Sequence, residues 1–101
     1  MSSSMIEIQV ADAVEVHATD DRLVVELEDG RSISLPLSWY PRLLHGTSEE
    51  RTNYQLIGGG SGIHWPDLDE DLSVEDLLAG YRSQESQRSL QKWLEGHNRK
   101  K

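Results

Sequence analysis

The sequence is as informative in what it lacks as in what it holds. It has no cysteine, so disulfides and thiolate metal sites are excluded. It has no phenylalanine, so three tryptophans and three tyrosines must supply the aromatic part of any core. Apolar runs are only a few residues long, too short for a membrane-spanning helix. The stretch Met1 to Glu7 reads as neither a basic leader nor an apolar signal core. The expectation is a soluble, cytoplasmic protein of bacterial type.

Familiar chemical motifs are missing too. Gly58-Gly59-Gly60-Ser61-Gly62 is glycine-rich, but a phosphate-binding loop needs a lysine and a helix after it, and neither follows. A hairpin between two strands is the better reading. His64 stands beside Trp65 and near Asp67, but no His-Glu-x-x-His spacing accompanies it. A strand histidine therefore outweighs a general base or metal ligand. Asp67, Asp69 and Asp71 match the first three ligand positions of a calcium loop. Leu72 then stands where that loop needs glycine, and no glutamate follows at the twelfth position. No metal and no cofactor are expected, and no nucleophile–base pair supports an enzyme.

What is present begins with charge. The 101 residues, enough for one domain, carry a net charge of −8. Residues 1–80 hold 4 basic and 16 acidic side chains, −12, whereas residues 81–101 hold 6 and 2, +4. An acidic body repels phosphate backbones, so direct nucleic-acid binding is disfavoured.

Patterning then gives an α+β order. Residues 1–10 read as a flexible or edge-strand lead-in, with Ile6, Ile8 and Val10 alternating. The domain proper covers 11–80. Val14, Val16 and Ala18 predict one strand face, Leu23, Val25 and Leu27 a second, and Ile33 and Leu35 a third. Asp29-Gly30 predicts a two-residue turn with Glu28 opposite Arg31. This makes an antiparallel three-stranded meander. Ser38 is expected to cap a helix with Pro41 in its first turn and a Trp39/Leu43/Leu44 stripe. Thr47-Ser48-Glu49-Glu50 has the form of a capping box. A second β-hairpin joins Tyr54–Ile57 to Ile63–Trp65, and Ser73 opens a helix that Gly80 stops. Residues 81–101 form a basic C-terminal tail, with an amphipathic helix from Ser83 to about His97 and an apolar stripe of Leu90, Trp93 and Leu94.

Several blocks carry a family resemblance: Pro36-Leu37-Ser38-Trp39-Tyr40-Pro41-Arg42-Leu43-Leu44, Glu49-Glu50-Arg51, Gly62-Ile63-His64-Trp65-Pro66-Asp67-Leu68-Asp69-Glu70-Asp71-Leu72-Ser73 and Leu77-Leu78-Ala79-Gly80. Over residues 11–80 the chain resembles bacterial domain-of-unknown-function family 2442. The resemblance implies a small α+β domain. Some members look like the regulatory half of proteins with a helix-turn-helix domain. Others are encoded beside a small partner in what looks like a toxin–antitoxin arrangement. The resemblance implies no catalytic residues, and the tail here is too short for a helix-turn-helix unit.

The function expected is a non-enzymatic, antitoxin-like interaction module for a small protein partner such as a toxin. The alternative is a transcription-associated regulatory domain that senses a ligand or acts as a dimer on DNA. An enzyme built on His64 and its acidic neighbours is the third. Candidate partner-binding residues are Tyr40 as an exposed anchor, Arg42, His64, the acidic Asp67, Asp69 and Asp71, and the tail stripe Leu90, Trp93 and Leu94. Arg51 is expected to meet the body's acids or an interface. The tail either inserts into a partner groove, pairs with a second copy, or docks on its own sheet.

Overall fold

Strand β2, Arg22–Leu27, shows the plainest period of two: Leu23, Val25 and Leu27 are buried, and their neighbours are not. In the computed structural model, which describes residues 10–99 and side chains up to His97, β2 is the centre of one sheet. It pairs antiparallel with β1, Ala13–Ala18, and β3, Ser32–Pro36, as the meander pattern predicts. The lead-in strand expected over 1–10 lies, apart from exposed Val10, outside the described residues.

Two local expectations fail in this sheet for definable reasons. Ala13 faces Leu27 but Glu15 faces Glu26, so one extra residue enters β1. The bulge moves the inward face to Ala13 and Val16 and leaves Val14 54% exposed. The turn after β2 holds three residues rather than two. Leu27 N–H donates to the Arg31 carbonyl, Gly30 N–H donates to Leu27, and only Gly30 has positive φ. Arg31 instead pairs with Asp29.

After β3 the chain makes one 3-10 turn, Leu37–Trp39, and then helix α1, Pro41–His45. Ser38 caps nothing. A residue before proline is kept out of the helical region, so Tyr40 (φ −127°, ψ 85°) ends the first turn and α1 starts at Pro41. Leu43 is buried, but Leu44 faces solvent. Helix α2, Ser48–Thr52, opens on the expected box: Glu50 N–H donates to Thr47 Oγ1 and Thr47 N–H to Glu50 Oε1. Arg51 then lays Nη1 against the Leu43 and Gly46 carbonyls, 3.0 and 2.7 Å away, and satisfies the end of α1. It meets backbone rather than acids.

The second sheet has one strand more than the hairpin pattern suggests. β4, Gln55–Ile57, β5, Gly62–Trp65, and β6, Glu70–Ser73, pair antiparallel in that order. β6 comes from the acidic stretch, whose charges obscure its alternation. Ser73 caps helix α3, Val74–Ala79, and Gly80 ends it in the left-handed region (φ 83°). Both sheets, α1 and α3 share one apolar core, with Trp65, Leu23, Ile63, Leu68 and Val74 fully enclosed. Each such side chain contributes roughly 1.5–3 kcal/mol on burial.

Helix α4 runs over Gln87–Arg99. It begins later than Ser83 because Ser86 Oγ accepts from Ser89 N–H as the cap. Among the described residues no helix is long and apolar enough to cross a membrane.

Candidate functional site

The loop after β5 shows how one acidic run is divided by the pleat. Trp65 pairs with Glu70, Ile63 with Leu72, and His64 with Asp71. Sides alternate along a strand, so Glu70 shares the inward face with Trp65, Ile63 and Leu72. Asp71 shares the outward face with His64. Leu68, in the loop, is fully buried, whereas Asp67 and Asp69 are exposed. Asp69 takes positive φ (51°), which aspartate tolerates, and this turns the chain into β6.

Glu70 therefore stands at the edge of the core, where a pocket of about 200 Å³ opens. Its walls come from three elements. Tyr40 lies at the start of α1; Glu70, Asp71, Leu72 and Ser73 belong to β6; Asp76 and Leu77 belong to α3. The chain from Tyr81 to Gln84 closes the remaining side. That closing segment is stitched down. Tyr40 hydroxyl donates to the Tyr81 carbonyl at 3.0 Å, and Ser83 N–H donates to the Trp39 carbonyl at 3.1 Å. The Arg82 guanidinium lies 4.4 Å over the Trp39 ring.

Burial pushes the Glu70 carboxyl up to about 7. Arg42 pulls it down, and the charges of Glu85 and Asp71 add to the rise. The Tyr40 phenol is also raised, by burial first and then by the charges of Glu70 and Asp76. Among the described residues no cation comes within ion-pair distance of Glu70 or Asp76. Nor does any group of three or more metal-ligating side chains gather there.

Arg42, whose charge acts on Glu70, is committed elsewhere. Its Nε and Nη2 grip Glu85, with the shortest contact 2.6 Å, and Nη1 donates to the Asp69 carbonyl at 2.9 Å. The hydrogen bonds from Arg42 hold the Glu85 carboxyl below its usual range and raise Arg42 in return. The guanidinium also lies 5.1 Å from the Trp93 ring centroid, and Trp93 stacks on His97 at 4.6 Å. His97 Nε2 faces Glu50 Oε2 at 2.9 Å, with both side chains largely enclosed.

These contacts rearrange the candidate residues. Tyr40 is 1% exposed, so it is a wall of the pocket and not an exposed anchor; the chain from Tyr81 to Gln84 covers it. Arg42 is a tie between α1, the β5–β6 loop and the tail. His64 bonds Asp71 across the strands at 2.5 Å on the outer face. Asp67 accepts from Asn53, and Asp69 from Arg42. Leu90 is buried and Trp93 and Leu94 are half-buried, because the stripe turns to the protein itself. Glu70 and Asp76 escaped sequence reasoning. The signal for Glu70 was the alternation Leu68, Glu70, Leu72, which places a carboxylate between two inward leucines.

Comparison with known proteins adds the family. Residues 13–83 match the model of a family described as a protein of unknown function, DUF2442. The chain belongs to this family. The family match ends inside the pocket-closing segment, so the DUF2442 unit includes Tyr81, Arg82 and Ser83. No curated protein matches the chain. Two solved structures resemble it. A crystal structure of a protein of unknown function from Rhodospirillum rubrum is 26% identical, with a TM-score of 0.64 over 79% of this chain and 96% of that one. A solution structure of an uncharacterized protein from Chromobacterium violaceum is 20% identical, with a TM-score of 0.62 over 80% of this chain and 74% of the other. The latter bears on the fold alone.

Proposed function

We infer that this protein is a cytoplasmic, non-enzymatic interaction module, antitoxin-like, that binds a small basic protein partner through its acidic body. The observation that carries the reading is the uncompensated acidic surface around the pocket. Glu75 and Asp76 face solvent on α3 without an ion-pair partner among the described residues, Asp71 meets only His64, and the guanidinium of Arg42 is spent on Glu85. A partner's basic surface would relieve that repulsion and be masked in doing so. The family resemblance to pairs encoded side by side agrees with this.

A ligand-sensing regulatory domain is the second reading. The pocket favours it, since a concave site of about 200 Å³ between elements has room for a ligand of a few atoms.

The test is co-purification of tagged full-length protein from its native host at low salt, beside an Asp71→Lys/Asp76→Lys variant. A stoichiometric small basic protein, held by the native chain and lost by the variant, is expected. Absence of any such protein, or equal retention by both, overturns the reading. Salt-dependent DNA binding would move the assignment to the regulatory alternative.

A further inference from the structure

We propose that the pocket between β6, α3 and residues 81–84 is a receptor for one alkyl-guanidinium or alkyl-ammonium group. This rests on the interaction-module reading and names what that surface recognises. The argument starts from size. A volume of about 200 Å³ is below the range of drug-sized sites, roughly 300–1,000 Å³, and suits a single long side chain. The lining has two chemistries. Leu72, Leu77 and the rings of Tyr40 and Tyr81 offer apolar wall for an alkyl stem. Glu70 and Asp76 offer carboxylates for a cationic head, whereas Asp71 turns its carboxylate to His64 on the outer face.

The molecule's own cations do not fill this role. Arg42 is held by Glu85 and Asp69, and Arg82, though it lines the pocket, lies over Trp39. The Tyr40 hydroxyl is engaged with the Tyr81 carbonyl and its ring is almost wholly covered, so Tyr81 supplies the aromatic surface that a ligand meets. An entering cation therefore meets Glu70 and Asp76, which have no ion-pair partner among the described residues, and the exposed ring of Tyr81. Burial raises the Glu70 carboxyl, and a cation placed beside it would favour the charged form. The other charged or titratable groups facing this site are Asp71, Asp76, Glu85, Arg42, Arg82 and the two tyrosines.

The same chemistry has two sources, an arginine or lysine of a protein partner and a free amine or guanidine. The probes are n-butylguanidine and N-acetyl-arginine methylamide, with N-acetyl-citrulline methylamide as the neutral control, titrated into the full chain by NMR at about pH 8. Both guanidinium probes should shift the amides of Glu70, Asp76 and Tyr81, and citrulline should not. Glu70→Gln and, separately, Asp76→Asn should each weaken binding about 5- to 10-fold, as expected for a charge-assisted contact. Asp67→Asn, in the exposed loop, should leave it unchanged. Citrulline binding as well as arginine, or equal loss in Asp67→Asn, overturns the proposal. Tighter binding of the acetyl-arginine amide than of butylguanidine identifies a peptide-borne side chain, and the reverse identifies a free base. Failure of the partner reading is separate. A partner retained by Glu70→Gln and Asp76→Asn would sink the pocket alone, and probe binding with no partner in the lysate would sink the partner reading alone.

Discussion

The body of this protein and its last helix are held by opposite chemistry. Within residues 13–79 the contacts that matter are apolar: two sheets and two helices enclose Leu23, Ile63, Trp65, Leu68 and Val74. Helix α4 contributes Leu90 and part of Trp93, but the ties of the C-terminal segment are polar: Glu85, just before the helix, on Arg42, Arg42 over Trp93, and His97 against Glu50. Apolar burial is non-directional and cooperative across a core. Polar ties depend on two partners each, and removing one leaves the other stranded. The body should therefore open as one unit, and α4 should be able to leave first.

The strongest test of this contrast is Trp65→Ala. Trp65 joins the core from the second sheet, and its Nε1 donates to the Arg51 carbonyl. Its loss should cost about 4 kcal/mol and destabilise body and helix together, read by urea unfolding with tryptophan emission and circular dichroism. Separate transitions for sheet and helix in that variant would break the idea of a single core. Next comes Gly60→Ala. Gly60 has φ 108°, and an added Cβ would lie 2.7 Å from the Ala13 carbonyl oxygen, where the second sheet's loop meets β1. A cost of about 3 kcal/mol is expected, from strain plus a backbone clash.

Arg42→Ala probes the other side of the contrast. It cuts three ties with one substitution. The expected cost is about 2 kcal/mol, at the low end for truncating one partner of a hydrogen-bonded ion pair. Its location matters more than its size. Amide hydrogen exchange should quicken over residues 87–97 and stay unchanged in β2. Uniform quickening would mean that α4 is part of the core unit after all.

Much of this division was legible in the sequence. The inward leucines and valines of β2 follow a plain period of two, and the caps at Thr47 and Ser73 sit at the expected helix starts. The bulge at Val14 was not legible, because both phases of β1 contain apolar residues and only pairing to Leu27 decides between them. β6 was hidden by four carboxylates in five residues, which read as loop until strand pairing turns one inward. Tyr40 was misplaced because its burial depends on residues forty positions later. Local pattern carries no information about Tyr81 folding back onto α1.

Glu70→Gln is the smallest effect and the most specific, since it asks what a carboxylate costs at the edge of the apolar region. The folded protein holds the Glu70 proton to about pH 7, whereas an unfolded glutamate releases it near its ordinary value of 4.5. Between those values the folded state binds more protons, so this group's contribution to stability falls as pH rises through that window. The contribution is complete below about pH 4.5 and lost above about pH 7. Glutamine keeps the shape and cannot ionise. The variant should match the native protein near pH 4.5 and exceed it by about 1–2 kcal/mol near pH 8, after allowance for partial contact with water. Thermal melts across that range would show a gap that opens with pH and reaches roughly 5–10 °C. A constant gap would mean that Glu70 is already ionised throughout, compensated by Arg42. The pocket would then have a resident counter-charge, and Glu70 would belong with the polar ties that hold α4.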